Sequence, residues 1–232
     1  MTFSGFLKTD LVNYPGCVAA SVFTDGCNMR CPYCHNPSLV LGTATEKHTE
    51  EEVLEYIARY RRILDGLVIS GGEPTLNQEL EGFLRKVKAL GLLVKLDTNG
   101  TAPEVISCLI DKKLVDYVAM DIKAPIVKYR MFFHEHCPSI EDSVRQSISL
   151  IAASPIEHEF RTTCPKSILN PQDFNEIAVL LGGLEASVWY LQPFNPAVTL
   201  DGRMEKEVSY SREELLKIAD SVRNTVPEVR VR

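Results

Sequence analysis

The chain predicts an α/β fold with a mostly parallel sheet, and three observations carry that prediction. Strand-like and helix-like patterns alternate along almost all of its 232 residues. The stretches between candidate strands are long enough for helical crossovers, which make neighbouring strands parallel and the crossovers right-handed. Six strand–helix units can be counted, too few for a closed eight-stranded barrel. The count fits an open (β/α)6 partial TIM-type barrel with parallel strands, or a doubly wound sheet.

The elements follow in order. Val18–Thr24 reads as a buried strand with a cysteine-rich segment after it. Thr49 opens a helix, with Glu52 three positions on completing a capping box, and Val53, Ile57 and Tyr60 form its apolar face. Leu67–Ser70 is the second strand and ends in Gly71-Gly72-Glu73-Pro74. Asn77 is the expected cap of a helix whose Leu80, Phe83, Leu84, Val87 and Leu90 recur at helical spacing, with Gly91 as its stop. Leu92–Leu96 is the third strand, ending in Asp97-Thr98-Asn99-Gly100, and Pro103 begins a short helix. Tyr117–Met120 is the fourth, ending in Asp121-Ile122-Lys123. Ile140, Val144, Ile148 and Ile151 mark the next helix, and Glu157–Thr163 is a more polar fifth strand. Asn170-Pro171 starts a helix carrying Phe174, Ile177, Ala178 and Leu181. Val188–Leu191 is the sixth strand, followed by "QPFNP". Ser211 and Glu214 form a second capping box, and the tail "VRVR" is a candidate terminal strand. No linker or short repeat interrupts this order, so residues 1–232 are expected to form one domain.

In such folds, chemistry gathers at the carboxyl ends of the strands. Here "DGCNMRCPYCHNP", "GGEP", "DTNG", "DIK", "RTT" and "QPFNP" all lie at or just past strand ends. The net charge of −6 argues against a nucleic-acid partner, which would want a basic surface. The first residues lack the pattern of a signal peptide, and no charge-free stretch reaches the roughly 18 residues of a membrane span. A cytoplasmic location is expected, where thiols stay reduced and clustered cysteines bind metal more often than they pair.

Cys27, Cys31 and Cys34 are spaced C-x3-C-x2-C, and His35 follows directly. A zinc site would need a fourth ligand, with His35 the nearest candidate. A [4Fe–4S] cluster takes its thiolates in such tight runs; three cysteines would leave one iron open for a ligand. His134, His136 and Cys137 are a weaker second metal candidate, since alternating loop residues converge poorly. Cys17, Cys108 and Cys164 read as ordinary buried or strand-end cysteines.

"CNMRCPYC" resembles the C-x3-C-x-aromatic-C signature of the radical S-adenosylmethionine enzymes. "GGEP", "DTNG", "DIK" and the arginine of "FRTT" are similar to the pattern of the glycyl-radical-enzyme activases within that family. The opening "GFLKTDLVNYPGCVAASVFTDGCNMRCPYCHNP" is similar to the activating proteins of anaerobic ribonucleoside-triphosphate reductase, with pyruvate formate-lyase activase a more distant relative.

The resemblance implies reductive cleavage of S-adenosylmethionine at a [4Fe–4S] cluster. The 5′-deoxyadenosyl radical so formed would take a hydrogen atom from a glycine of a partner enzyme. A flavodoxin- or ferredoxin-type protein would supply the electron. Cys27, Cys31 and Cys34 would hold the cluster, Tyr33 and Asn36 would lie toward the adenine, and His35 would sit behind the cluster. Gly71, Gly72 and Glu73 would face the methionine amino group, Arg161 its carboxylate, and Asp121 and Lys123 other polar groups of the ligand. Asp97, Thr98 and Asp121 match positions that in pyruvate formate-lyase activase help bind a monovalent cation, and the resemblance implies the same here. Asn195 stands where pyruvate formate-lyase activase has a histidine, so acid–base behaviour specific to histidine would be lost. The competing readings are a radical enzyme acting on a small molecule or RNA, and a non-catalytic zinc-stabilised binding protein.

Overall fold

The computed structural model describes residues 1–133, 139–184 and 187–232. The expectation for His134, His136 and Cys137 falls outside these residues. Two compact units are present. The first comprises Met1–Asn28, Ser38–Thr98 and Glu104–Val118; the second comprises Met29–Pro37, Asn99–Pro103 and Ala119–Arg232.

The first unit carries β1 (Thr2–Phe3), β2 (Phe6–Asp10), β3 (Ala19–Thr24), all but the first residue of α1 (Pro37–Leu41), β4 (His48–Thr49), α2 (Glu50–Tyr60), β5 (Gly66–Gly71), α3 (Leu80–Ala89) and β6 (Leu93–Thr98). It also holds nearly all of α4 (Pro103–Asp111) and the start of β7 (Tyr117–Asp121). β3 pairs in parallel with β5, and β5 with β6. Ala19, Ala20, Val22, Leu67, Val68 and Ile69 are fully buried, as in strands covered on both faces. β1, β2 and β4 add strands that the apolar pattern did not show. β2 pairs antiparallel with β3 and β1 with β4.

Cap chemistry accounts for the start of α2. The capping box expected there is only half formed: Thr49 accepts from the Glu52 amide at 3.1 Å, but the Glu52 carboxylate pairs with His48 Nδ1 at 3.0 Å. Val53 and Ile57 are buried as expected, but Tyr60 is 37% exposed and leans on Tyr56. The expected cap at Asn77 is corrected. A 3-10 turn, Pro74–Leu76, uses the residues after Glu73. Asn77 accepts from the Glu79 amide at 2.9 Å within the following turn, and α3 begins at Leu80. Gly91 ends that stretch as expected, with a positive φ of 81°.

The second unit carries the end of β7, α5 (Ile140–Ala153), β8 (Glu157–Cys164), α6 (Pro171–Leu181), β9 (Val188–Pro193), α7 (Arg212–Val222) and β10 (Val229–Val231). β8 and β10 both pair in parallel with β9, so the "VRVR" tail does add a strand. Full capping boxes open α6 (Asn170 with Asp173) and α7 (Ser211 with Glu214). Trp189, fully buried, donates to Thr162 Oγ1 at 2.9 Å, and Thr162 donates to the Ile122 carbonyl at 2.9 Å. Apart from the antiparallel β1–β4 and β2–β3 pairs, the pairings given within each unit are parallel, as a mostly parallel α/β fold requires.

Cys164 closes β8 with no measurable exposure, and burial pushes its thiol up to about 12. Its thiolate fraction is therefore negligible where an ordinary thiol is half ionised. In the native protein at about pH 8.5, iodoacetamide is expected to modify the half-buried Cys17 and Cys108 and to reach Cys164 only after denaturation. Native labelling of Cys164 at the rate of Cys108, read by peptide mass spectrometry, would contradict its burial.

Candidate active site

In the first unit, the end of β5 is laid against the segment that leads into Cys27. Gly72 N–H donates to the Thr24 carbonyl at 2.9 Å, and Glu73 N–H to the Gly26 carbonyl at 2.8 Å. Only glycine allows this approach. A Cβ on Gly72 would stand 1.9 Å from the Gly26 oxygen, and one on Gly71 would stand 2.3 Å from the Thr24 nitrogen. Gly71 also has a φ of +118°. Here the glycines let one backbone segment close on another, a packing role that the sequence reading had not assigned them.

Glu73 is 1% exposed. Its Oε1 accepts from Thr75 Oγ1 at 2.6 Å, the Thr75 amide at 3.1 Å and Thr98 Oγ1 at 2.8 Å. Those donors fix the carboxylate's orientation. Thr98, expected near a cation, is thus brought to Glu73. Asp97, expected in the same role, accepts from Ser70 Oγ at 3.2 Å and forms an ion pair with Lys95. Lys95 is 1% exposed, and its ammonium lies 5.5 Å from the Tyr117 ring centroid. Sequence reasoning missed Lys95. The usable signal was a lysine and an aspartate two apart on one strand, hence on one face.

In the second unit, the Cys34 amide donates to the Cys31 carbonyl at 3.0 Å, closing a turn through Tyr33. Cys31 is buried and Cys34 half-buried, as is Cys27 in the first unit. Tyr33 is 3% exposed and meets Phe132 and Phe194 edge-on, with centroids 6.1 and 6.3 Å away. Its hydroxyl lies 3.5 Å from the Lys123 carbonyl. His35 stacks on Phe194 at 5.6 Å, and its Nε2 lies 2.6 Å from the Asn195 carbonyl oxygen. A carbonyl only accepts, so that nitrogen carries the proton. Asn195 is brought to His35 through its backbone, while its side chain accepts from the Ala197 amide at 3.1 Å. Asn36 is exposed.

Asp121 stands between two cations. Arg161 Nε donates to its Oδ1 at 2.8 Å and Lys123 Nζ to its Oδ2 at 2.8 Å. Burial would raise the Asp121 carboxyl, but the charges of Arg161 and Lys123 outweigh it and hold the group well below the usual carboxylate range. Burial would likewise lower Lys123, and the Asp121 carboxylate outweighs it, keeping the ammonium charged. The Tyr129 hydroxyl accepts from the Lys123 amide at 3.0 Å and fixes the backbone there. The cluster is therefore a preorganised set of charged donors, suited to a small zwitterion or carboxylate.

The sequence profile of the Radical SAM superfamily matches residues 21–145, more than half of the chain. The chain belongs to the radical SAM superfamily. A Methanocaldococcus jannaschii protein, whose name places it provisionally among glycyl-radical enzyme activating enzymes, is 33% identical over 99% of this radical SAM chain and 95% of its own length. The pyruvate formate-lyase-activating enzyme of Clostridium pasteurianum is 35% identical over 118 residues, covering 49% of this chain and 48% of that enzyme. Among solved structures, a radical SAM methyltransferase from Sphaerobacter thermophilus superposes with a TM-score of 0.69 at 19% identity, over 94% of this chain and 67% of that one. At that identity the likeness concerns the fold alone. Membership implies a [4Fe–4S] cluster and S-adenosylmethionine. The donor set suits them: three thiols in one loop, a glycine segment that admits no side chain, and a fixed cluster of cations and carboxylate.

His35 supports the loop from the Phe194 side. His35→Ala is expected to keep its full iron and sulfide content after anaerobic reconstitution, with a stability loss of about 1 kcal/mol from the lost stacking. Loss of a quarter or more of the iron, with the fold intact by circular dichroism, would make His35 a ligand.

Proposed function

We propose that this radical SAM protein is an activase that installs a glycyl radical on a partner enzyme, and that the partner is an anaerobic ribonucleoside-triphosphate reductase. The observation that carries the activase reading is the end-to-end match to the Methanocaldococcus protein, at 33% identity over 95% of that chain. The opening segment Gly5–Pro37 favours the reductase as partner, on its resemblance to that branch. Action in the cytoplasm with a flavodoxin- or ferredoxin-type donor belongs to the same reading. No helix among the described residues is long and apolar enough to cross a membrane.

When bound, the cluster would supply the electron for reductive cleavage of S-adenosylmethionine to methionine, the 5′-deoxyadenosyl group so released taking the Cα hydrogen of the partner glycine to leave 5′-deoxyadenosine and a glycyl radical. The chain's own residues bind and orient. Cys27, Cys31 and Cys34 would hold the cluster by their thiolates. Arg161, braced by Asp121, takes the methionine carboxylate. The Gly71–Glu73 segment offers close backbone and an oriented carboxylate to the amino group, and Tyr33 and Asn36 serve the adenine side.

The test is anaerobic reconstitution, reduction, and mixing with candidate partners. A glycyl-radical EPR signal on the reductase, formed with 5′-deoxyadenosine, is the expected result. 5′-Deoxyadenosine without a radical on any partner would leave the superfamily chemistry and remove the activase reading. Each of Cys27→Ala, Cys31→Ala and Cys34→Ala is expected to abolish both products.

A further inference from the structure

We propose that Glu159 and Arg232 are positioning residues for Arg161, setting its grip on the methionine carboxylate. The inference rests on the reading of Arg161 as the residue that takes that carboxylate.

All the groups concerned lie in the second unit. Glu159 and Arg161 are two apart on β8 and so share a face. Glu159 is 1% exposed, a depth at which a carboxylate needs a strong partner. Arg232 supplies it with two bonds, Nη1 to Oε1 at 3.0 Å and Nη2 to Oε2 at 2.6 Å. The Arg232 guanidinium is itself seated on Tyr190, 3.7 Å from the ring centroid, and Tyr190 is the β9 residue in register with Arg161. Arg230 Nη1 donates to the Tyr190 hydroxyl at 3.1 Å and braces the ring.

Arg161 thereby stands between two carboxylates. Its Nε bond to Asp121 is 2.8 Å, whereas its Nη1 is 3.9 Å from Glu159 Oε1. The first is a directional hydrogen bond and the second a loose electrostatic contact. The difference follows from Arg232, which engages both Glu159 oxygens in a fork. Without Arg232, the buried Glu159 carboxylate draws on its neighbour Arg161. The guanidinium would then turn from Asp121 toward Glu159, and a ligand carboxylate would face a competitor. Lys123–Asp121–Arg161–Glu159–Arg232 is an alternating series whose last member sets the orientation of the middle one.

The test compares wild type with Arg232→Met, Arg232→Lys, Glu159→Gln and the double variant Glu159→Gln/Arg232→Met. One readout is the S-adenosylmethionine dissociation constant of the reconstituted protein. The other is the ¹⁵N–¹H resonance and hydrogen exchange of Arg161 Nε, measured without cluster or ligand. Arg232→Met is expected to weaken binding about tenfold, the scale of one charged hydrogen bond, and to speed Nε–H exchange. Glu159→Gln/Arg232→Met is expected to restore both toward wild type, because the competing charge is gone. Arg232→Lys should fall between, and serves in place of Arg232→Met if that variant does not fold. Wild-type affinity and exchange in Arg232→Met, or an equal loss in the double variant, would overturn the proposal and leave Arg232 a packing residue. Failure of the wild type to bind S-adenosylmethionine would instead overturn the ligand reading of Arg161, while the Nε–H exchange would still report on its positioning.

Discussion

Gly72→Ala is expected to cost about 3 kcal/mol or more in folding stability, as overpacking against rigid neighbours does. The added methyl would lie 1.9 Å from the Gly26 oxygen and 2.6 Å from its carbonyl carbon. Both are backbone atoms, so no rotamer change relieves the clash. The two segments must part, which breaks the bonds from Gly72 to Thr24 (2.9 Å) and from Glu73 to Gly26 (2.8 Å). The loop entering Cys27 would then lose its seat. A lower yield of assembled cluster is expected beside the fall in stability.

The measurement is a urea unfolding series on the cluster-free protein, with iron content after reconstitution as the second readout. Gly82→Ala is the matched control. Gly82 lies inside α3, and nothing stands within 4 Å of a Cβ built on it. That substitution is expected to stabilise by up to about 1 kcal/mol through helix propensity. A Gly72→Ala protein as stable as wild type would mean that the strand-end loops do not pack as described.

These contacts also show why part of the site could be read from sequence and part could not. Gly71 and Gly72 left a visible trace, because close backbone approach excludes every other residue type. Thr49, Asn170 and Ser211 were legible as caps because their bonds are local, spanning two or three residues. β2 was not legible. Its sequence Phe6–Asp10 is mostly exposed, so its antiparallel place beside β3 comes from pairing rather than from an apolar pattern. Glu159 and Arg232 were not legible either, because the ion pair joins residues 73 apart and neither stands in a motif. The resemblance could name Arg161 but not what braces it.

Lys95 is the strongest instance of such a hidden partner, and its removal is expected to have the other large effect. A lysine within a strand ordinarily reads as an outward-facing residue. Here it is 1% exposed and paired with Asp97, whose side chain is 12% exposed. Removing one member of a buried pair leaves the other's charge without its counter-ion, at a cost of about 3–5 kcal/mol. Lys95→Ala should lose that much, and the contact with the Tyr117 ring besides. The double change Lys95→Met/Asp97→Asn should lose less, since no buried charge is stranded. The same variant tests the cation expectation at Asp97 and Thr98. A lysine ammonium already stands on Asp97, so wild-type stability and S-adenosylmethionine affinity should respond to potassium no more than to choline at equal ionic strength. Lys95→Ala, with that ammonium gone, should regain part of its lost stability from potassium or ammonium but not from choline. A wild type that gains stability or affinity from potassium over choline would show that Lys95 does not replace a monovalent cation, and that Asp97 serves an external ion as well.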